Sequence, residues 1–277
     1  MTLVLEAEAA TGFTAGIGVV PVALSALRRR MLDVCDSLAA DQWQLQSRCE
    51  LWSVHDVVRH VRDACALHVA SLNGEPTPFV RGDRFDPRET PARWLDRTAG
   101  QSPADTAAEL RQCCAGEELA LRAGLDQGRD DAVQAPYGPV HWTVLAAHVF
   151  WDGWLHARDV TEVVHCGPPS TPAEDELVAL YGLLIASVPA LRMNHHFDLT
   201  VALACGDGRR YLVSVAPGRV GLDTTEVAEE YDLHGELAPV VDALAGRGPE
   251  LESVLHGNRT VLEPLTWLRT FLAPVAS

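Results

Sequence analysis

The sequence predicts an α+β protein in which an N-terminal four-helix bundle is followed by a small C-terminal α+β domain. Two observations predict this fold class. Apolar residues recur at helical spacing in the first part of the chain, and the alternation typical of strands begins only near residue 197. We therefore expect a helical bundle over residues 1–170, a connecting helix over 171–194 and an α+β domain over 195–277.

The first predicted helix follows a stretch, residues 1–18, that is expected to be irregular. It begins near Pro21, because proline suits the first helical turn, and it runs to about Leu38. The three arginines at positions 28–30 are expected to form a solvated face of this helix.

Three more helices complete the predicted bundle. The second begins at Ser53, where Ser53 and Asp56 resemble a capping box. Connections rich in glycine and proline separate the helices, as is usual between the elements of a bundle. The helices are predicted over residues 53–72, 103–124 and 140–164, and the longest connections over 73–92 and 126–139.

The C-terminal third combines strands with helices. A fifth helix is expected over 172–191, and two alternating segments around Gly206-Asp207-Gly208 predict a β-hairpin. The strands are predicted over residues 197–203, 210–215, 220–225 and 231–235, and further helices over 236–244 and 263–272.

The composition limits the kinds of partner and the cellular compartment that we expect for this protein. The 277 residues carry a net charge of −16, which argues against nucleic acid or an anionic membrane surface as partner. The seven cysteines form no Cys-x-x-Cys pair, so reduced thiols are expected rather than a disulfide scaffold. Neither a signal peptide nor a long uncharged apolar run is present, and we therefore expect a cytoplasmic protein.

A polar stripe on the fourth helix is the most informative feature of the chain. His148, Asp152 and His156 are spaced by four residues, so they lie on one face of an otherwise apolar helix. Polar groups in such surroundings must be hydrogen-bonded, metal-bound or catalytic. Asp152 and His156 with His60 of the second helix would supply three ligands and leave one position open. This donor set suits Zn²⁺ first, with Ni²⁺, Fe²⁺ and Mn²⁺ as alternatives.

Two neighbouring residues have more than one interpretation. Asp159 either orients the imidazole of His156 or pairs with Arg158 or Arg62 on the helix surface. His148 is a fourth ligand, a substrate contact or a core histidine with its hydrogen bonds satisfied. No partner spacing is recognised for the other histidines, which are His55, His68, His141, His165, His195, His196, His234 and His256.

Two motifs give the chain a family resemblance. The segment from Cys49 to His60, with its eight-residue step from Trp52 to His60, resembles a motif of DinB-like proteins. Asp152-x-x-x-His156-x-x-Asp159 resembles their Glu-x-x-x-His-x-x-Asp motif, with aspartate in place of glutamate. The sequence is most similar to the mycothiol-dependent maleylpyruvate isomerase branch, in which a further domain follows the bundle.

The resemblance implies a metal at the core of the bundle, with His60, Asp152 and His156 as its ligands. It also implies mycothiol, a low-molecular-weight thiol of actinobacteria, as co-substrate. A thiol on a divalent cation is deprotonated and becomes the nucleophile that attacks a small electrophilic metabolite. Rotation and release of the thiol would isomerise a cis double bond, whereas a retained adduct would be an S-transfer product.

Two assisting groups are expected. His148 is the candidate proton donor. An anionic substrate or intermediate would need a cation, for which Arg210 is the catalytic candidate. The other arginines considered for this role are Arg192, Arg209 and Arg219.

Two alternative functions remain open at this point. The same fold could serve as a thiol-independent cyclase or hydrolase of secondary metabolism, with Trp52, Trp151 and Trp154 lining an apolar pocket. The chain could also be a non-catalytic binding protein with a vestigial metal site, because aspartate shortens one ligand.

Overall fold

The fold was analysed on a computed structural model of the 277-residue chain. It divides into two compact units, residues 18–169 and residues 1–17 with 170–276. Within its described part, helices precede a sheet-containing region, which confirms the predicted α+β class. The structure describes residues 2–6, 17–77, 89–136, 138–167, 170–187, 197–204, 210–216, 219–225 and 232–259.

Four long helices build the first unit. Helices α1 and α2 each pack against both α4 and α5, which is the neighbour pattern of a four-helix bundle. The shorter α3 packs against α2. The helices are α1 (Val20–Ser37), α2 (Val54–Leu72), α3 (Glu89–Arg97), α4 (Pro103–Asp126) and α5 (Trp142–Val164).

Local sequence signals explain where these helices begin. The Ser53 hydroxyl accepts a hydrogen bond from the backbone N–H of Asp56, and the Asp56 carboxylate accepts one from the backbone N–H of Ser53. This confirms the predicted capping box. Apolar residues of α1, α2, α4 and α5 then close over a common core, which includes Met31, Val57, Val61, Leu110 and Val160.

The second unit contains a six-stranded sheet with the strand order β1-β6-β5-β4-β7-β8. Strands β4 and β5 are antiparallel, as the predicted hairpin requires, whereas β7 runs parallel to β4. The strands are β1 (Thr2–Glu6), β4 (Phe197–Ala204), β5 (Arg210–Ala216), β6 (Arg219–Thr225), β7 (Leu233–Glu236) and β8 (His256–Gly257). The helices of this unit are α6 (Pro172–Ser187), α7 (Leu237–Leu244) and α8 (Leu251–Val254).

Three local expectations were wrong. Thr2–Glu6 form a strand that pairs with β6, where irregular structure was expected. The predicted connection over 126–139 holds part of a small hairpin, β2 (Ala132–Ala135) with β3 (Gly138–His141). Helix α3 begins inside the predicted 73–92 loop. Each of these elements is short, and short elements carry little periodic signal.

Arg28 is a further correction, because its side chain does not belong to a solvated face. Only 3% of the residue is exposed, and its guanidinium is paired with Glu117 of α4. The predicted helix over 263–272 and the turn over 206–208 lie outside the described residues. The domain boundaries at 170 and 194 stay a prediction. No helix in the described part of the chain is long and apolar enough to cross a membrane.

Candidate metal centre

Three side chains from two distant segments converge inside the bundle. His60 on α2 and both Asp152 and His156 on α5 each offer one ligand atom, and these atoms lie within 4.8 Å of one another. The rings of His60 and His156 meet edge to face, with 4.7 Å between their centroids. The two histidines are buried, and Asp152 is nearly so. The three side chains can therefore share one ion.

The positions of these side chains follow from their helices. Asp152 and His156 are four residues apart, so α5 presents them on one face. Trp52, just before α2, lies against the ring of His60 at a centroid distance of 4.7 Å and faces His156 at 6.4 Å. The indole restricts the space available to both imidazoles and shields them from water.

Asp159 fixes the orientation of His156. Its Oδ2 lies 3.0 Å from Nδ1 of His156, and the thiol of Cys49 donates to the same oxygen at 3.1 Å. Asp159 is completely buried, so it is not the surface partner of Arg158 or Arg62 that was considered as an alternative. With Nδ1–H donating to this carboxylate, Nε2 of His156 is the atom available to a metal.

The electrostatics favour a positive species between Asp152 and His156. Nε2 of His156 lies 3.4 Å from Oδ1 of Asp152. Burial alone would lower the pKa of His156, but the charge of Asp152 and hydrogen bonds to Asp152, Asp159 and Cys49 raise it well above its ordinary value. Burial would raise the pKa of Asp152, but the charge and hydrogen bond of His156 hold it well below its usual range. A proton or a metal cation satisfies the pair.

The residues present fit a divalent metal. Two imidazoles and one carboxylate are ligands that Zn²⁺ accepts, and three protein ligands leave a position open. Oδ2 of Asp152 is buried, and no described residue donates a hydrogen bond to it. A second group of ligand atoms, from Cys49, His156 and Asp159, also lies within 4.8 Å. It shares His156 with the first group and lies on the Nδ1 side of that ring, where Asp159 accepts hydrogen bonds from His156 and Cys49.

His148 is not among these ligand atoms. It lies two turns before His156 on α5 and is buried, with its ring 5.7 Å from that of Trp151 and 5.8 Å from that of His68. Burial lowers the pKa of His148 to about 4, although the charge of Asp152 opposes this shift. His148 is therefore neutral at pH 7 and is suited to passing a proton rather than to holding one.

The arginine candidates are less defined. Arg210 opens β5 and Arg219 opens β6, but their side chains lie outside the part of the chain that the structure describes. Arg192 and Arg209 lie outside it entirely. The three tryptophans considered as a pocket lining are 1–9% exposed and are therefore core residues: Trp52, Trp151 and Trp154.

Sequence reasoning missed two groups of residues near the centre. Cys49 was not recognised as a partner of Asp159, and no short-range spacing reveals that contact. His68 was left without a partner, yet its Nδ1 lies 3.0 Å from Oε1 of Glu117. A signal did exist for Arg28, which belongs to the same group because it pairs with Glu117. Arg28 lies four residues after Leu24 and therefore on the apolar stripe of α1.

Comparisons with known proteins agree with the fold and with the predicted resemblance. The fold is similar to a crystal structure of the mycothiol-dependent maleylpyruvate isomerase, with a TM-score of 0.57 and 18% identity over 84% of this chain and 90% of that chain. A histidine-to-alanine variant of that isomerase gives a TM-score of 0.56 and 17% identity over 86% and 91%. At these identities the likeness establishes the fold alone. No curated protein matches the chain.

The family is established by the sequence of the helical unit. Residues 24–161 match the sequence model of the family described as the mycothiol maleylpyruvate isomerase N-terminal domain. The matched segment includes α2 and nearly all of α5, and hence His60, Asp152 and His156, which we call the metal triad. The resemblance inferred from the two motifs is thereby confirmed. Through its helical unit, this chain belongs to the mycothiol maleylpyruvate isomerase N-terminal domain family.

Proposed function

We propose that this protein is a metal-dependent enzyme that uses mycothiol to isomerise, or to transfer sulfur to, a small electrophilic metabolite. The observation that carries the proposal is the convergence of His60, Asp152 and His156 within 4.8 Å inside the bundle. Membership of the family and the fold of the isomerase structures support it. Zn²⁺ is the proposed metal because of the donor set.

The chemistry divides between the metal and the chain. A divalent cation held by the triad would lower the pKa of a bound thiol, so that the thiolate is available at neutral pH. Asp159 holds Nδ1 of His156 and keeps Nε2 directed at the centre. Trp52 excludes water from the side of His60. His148 is the proposed group that exchanges protons with the reacting molecules, and Arg210 the proposed cation for an anionic substrate.

Metal analysis tests the first half of the proposal. Protein purified without chelator should contain about one zinc per chain. His60→Ala and His156→Ala should each lose the metal and the activity. His55→Ala is a matched control on α2, because His55 is hydrogen-bonded to Thr106 and lies outside the triad. Full activity in either ligand variant would contradict the proposal.

Thiol consumption tests the second half. We expect the zinc-loaded protein to react mycothiol with activated cis-enoyl or other electrophilic metabolites, either catalytically or with loss of free thiol. Turnover of a substrate without any thiol would instead identify a thiol-independent enzyme on this fold. Absence of both metal and turnover would identify a binding protein.

The six cysteines seen as free thiols fit the reducing cytoplasm, which we propose as its compartment.

A further inference from the structure

A second group of buried polar side chains lies inside the bundle. It consists of Arg28 from α1, His68 from α2, Glu117 from α4 and His148 from α5, so each of the four bundle helices contributes one residue. We call these four residues the polar layer. None is more than 9% exposed, and Glu117 is completely buried. Four ionisable groups at this depth need a physical reason, because burial penalises charge.

Within the polar layer, Glu117 links Arg28 to His68. Its Oε2 accepts a hydrogen bond from Nε of Arg28 at 3.2 Å, and its Oε1 lies 3.0 Å from Nδ1 of His68. Burial would raise the pKa of Glu117, but the charge of Arg28 and the hydrogen bond from His68 lower it, so the carboxylate is ionised. The proton on Nδ1 of His68 therefore donates to Glu117. In this tautomer the other nitrogen of His68, Nε2, carries the lone pair of the neutral ring.

The polar layer and the metal triad lie on the same two helices. Eight residues separate His60 from His68 on α2, and eight separate His148 from His156 on α5. The structure pairs His60 with His156 at 4.7 Å and His68 with His148 at 5.8 Å between ring centroids. Asp152 lies midway between the two histidines of α5. The histidine pair of the polar layer is thus about 12 Å along the helices from the histidine pair of the triad, and Asp152 lies between them on α5.

Stability is a poor explanation for this arrangement. A buried ion pair is weak support for a fold, because well-packed apolar residues of the same volume often serve as well or better. The polar layer has a feature that a purely structural ion pair does not need. It ends at the neutral imidazole of His148, one helical turn from the metal ligand Asp152.

We infer that His68, positioned by Glu117 and Arg28, receives through His148 the proton that the thiol co-substrate loses. This inference rests on the proposed function. The thiol S–H bond breaks as an N–H bond forms on one ring nitrogen of His148. The N–H bond on the opposite ring nitrogen of His148 breaks as an N–H bond forms at Nε2 of His68. The carboxylate of Glu117, which His68 shares with Arg28, offsets part of the added positive charge, and no oxidant or other reactant is needed.

Other titratable groups border this path. Cys65 on α2 and Cys114 on α4 are thiols that interact with Glu117, and the hydrogen bond with Cys65 lowers the pKa of Cys114 against the effect of burial. The hydrogen bond to Cys114, together with burial, raises the pKa of Cys65 well above its ordinary value, so Cys65 stays protonated. Arg28 is a fixed charge: burial would lower its pKa, but attraction to Glu117 and to further acidic groups that include Asp152 together raises it. His68 is then the acceptor at the end of the path.

Counting protons tests the inference without measuring turnover. Mycothiol is titrated into the zinc-loaded protein at pH 7 in weak buffer with a pH indicator, while calorimetry measures the thiol bound. A free thiol is mostly protonated at this pH, so binding as thiolate frees about one proton. The wild-type protein should retain this proton and release well under one per thiol bound. His68→Gln, which keeps a donor for Glu117, should release about one.

Two further variants separate the relay from a folding defect. His55→Gln makes the same substitution on α2 outside the polar layer and should release as few protons as the wild type. Arg28→Met combined with Glu117→Gln removes the charge pair as a unit and should release about one proton per thiol, as His68→Gln does. Zinc content and melting temperature verify that each variant is folded.

The outcomes are distinguishable. Equal proton release by the wild-type protein and by both polar-layer variants, with thiol bound in each, overturns the relay and leaves the proposed function intact. A zinc-loaded wild-type protein that binds no mycothiol overturns the proposed function, and the relay falls with it. Release that rises only in the polar-layer variants supports both.

Discussion

At the residue scale, the orientation of His156 depends on a single carboxylate oxygen. Oδ2 of Asp159 accepts from Nδ1 of His156 and from the thiol of Cys49, at 3.0 and 3.1 Å. A metal-ligating imidazole needs such a partner, because the hydrogen bond selects the tautomer and strengthens the other nitrogen as a ligand. Asp159 would therefore act on a bound metal through His156.

Asp159→Asn should weaken zinc binding by about 10–100-fold, the range found when such outer partners are lost. The asparagine has nearly the same shape, but it brings no charge and presents either oxygen or nitrogen to the imidazole. Competition with a chromophoric chelator measures the affinity. Glu162→Gln is the control, because Glu162 is an exposed residue of the same helix that pairs with Arg158. An unchanged zinc affinity in Asp159→Asn would show that Asp159 does not support zinc binding through His156.

The pH dependence of zinc binding follows from His156. Its pKa is raised well above 6.5 in the metal-free protein, mainly by Asp152 against the effect of burial. Below that raised pKa the imidazole carries a proton that zinc must displace. The apparent zinc affinity should therefore rise with pH throughout the range below this raised pKa, by about tenfold per pH unit for one displaced proton. It should level off above the pKa of His156. A flat affinity between pH 6 and 8 would contradict this assignment.

His156 and Asp152 both stabilise the metal-free fold, but their contributions depend on pH in opposite directions. The folded-state pKa of His156 is raised, so its contribution is fully present below 6.5 and is lost as pH rises through the raised value. The folded-state pKa of Asp152 is lowered, so its contribution is present above 3.8 and is lost as pH falls through the lowered value. The metal-free pair thus stabilises the fold most between pH 3.8 and pH 6.5, where both contributions are fully present.

At the scale of elements, Gly153 controls the approach of α1 to α5. A Cβ at this position would lie 3.1 Å from Nη1 and 3.2 Å from Cζ of Arg28. The guanidinium cannot move aside easily, because Glu117 holds it in a buried ion pair. Glycine in the middle of a helix costs about 1 kcal/mol relative to alanine. Here it makes room for the charged residue of the polar layer.

Gly153→Ala should therefore destabilise the protein, although alanine is the better helix former. Gly116→Ala on α4 is the matched control, because a Cβ there would meet only Val69, at an ordinary 3.5 Å. That variant should gain about 0.5–1 kcal/mol. Urea unfolding followed by circular dichroism measures both free energies. A Gly153→Ala variant as stable as Gly116→Ala would show that Arg28 is not held in place.

The sequence predicts the helices well, and it singles out three side chains that the structure brings together, His60, Asp152 and His156, for a physical reason. Helical periodicity and the capping box at Ser53 are local, and the four-residue step from Asp152 to His156 is a direct property of the helix. His60 was proposed as the third ligand from its place on a separate helix, and the resemblance supported that choice, but no local pattern brings it to Asp152 and His156, because the packing of α2 against α5 is not a local property.

The missed features depend on long-range contacts. Strand β1 pairs with β6 at the other end of the chain, from Thr2 opposite Asp223 to Glu6 opposite Arg219. Arg28 was placed on a solvated face because it begins a run of three arginines, yet the apolar stripe of α1 takes it into the core. In both cases a distant partner decides the outcome, and short-range patterns do not contain that partner.

At the scale of the whole molecule, the helical unit contains every group that the proposal requires around the metal. The triad, Asp159, Cys49 and the polar layer all lie within residues 18–169. The sheet-containing unit carries the proposed Arg210. Metal binding should therefore be linked to the unfolding of the helical unit, because a ligand that binds only the folded state stabilises that state.

Zinc should raise the melting temperature of the helical unit. Free zinc at 100 times its dissociation constant adds about 2.7 kcal/mol, which corresponds to about 5–10 °C for a unit of this size. Tryptophan fluorescence is the appropriate readout, because all tryptophans except Trp267 lie within residues 18–169. His156→Ala should fold but show no shift with zinc, since it lacks the central ligand. An equal shift in His156→Ala would mean that zinc stabilises the protein from a different site, and the triad would no longer account for metal binding.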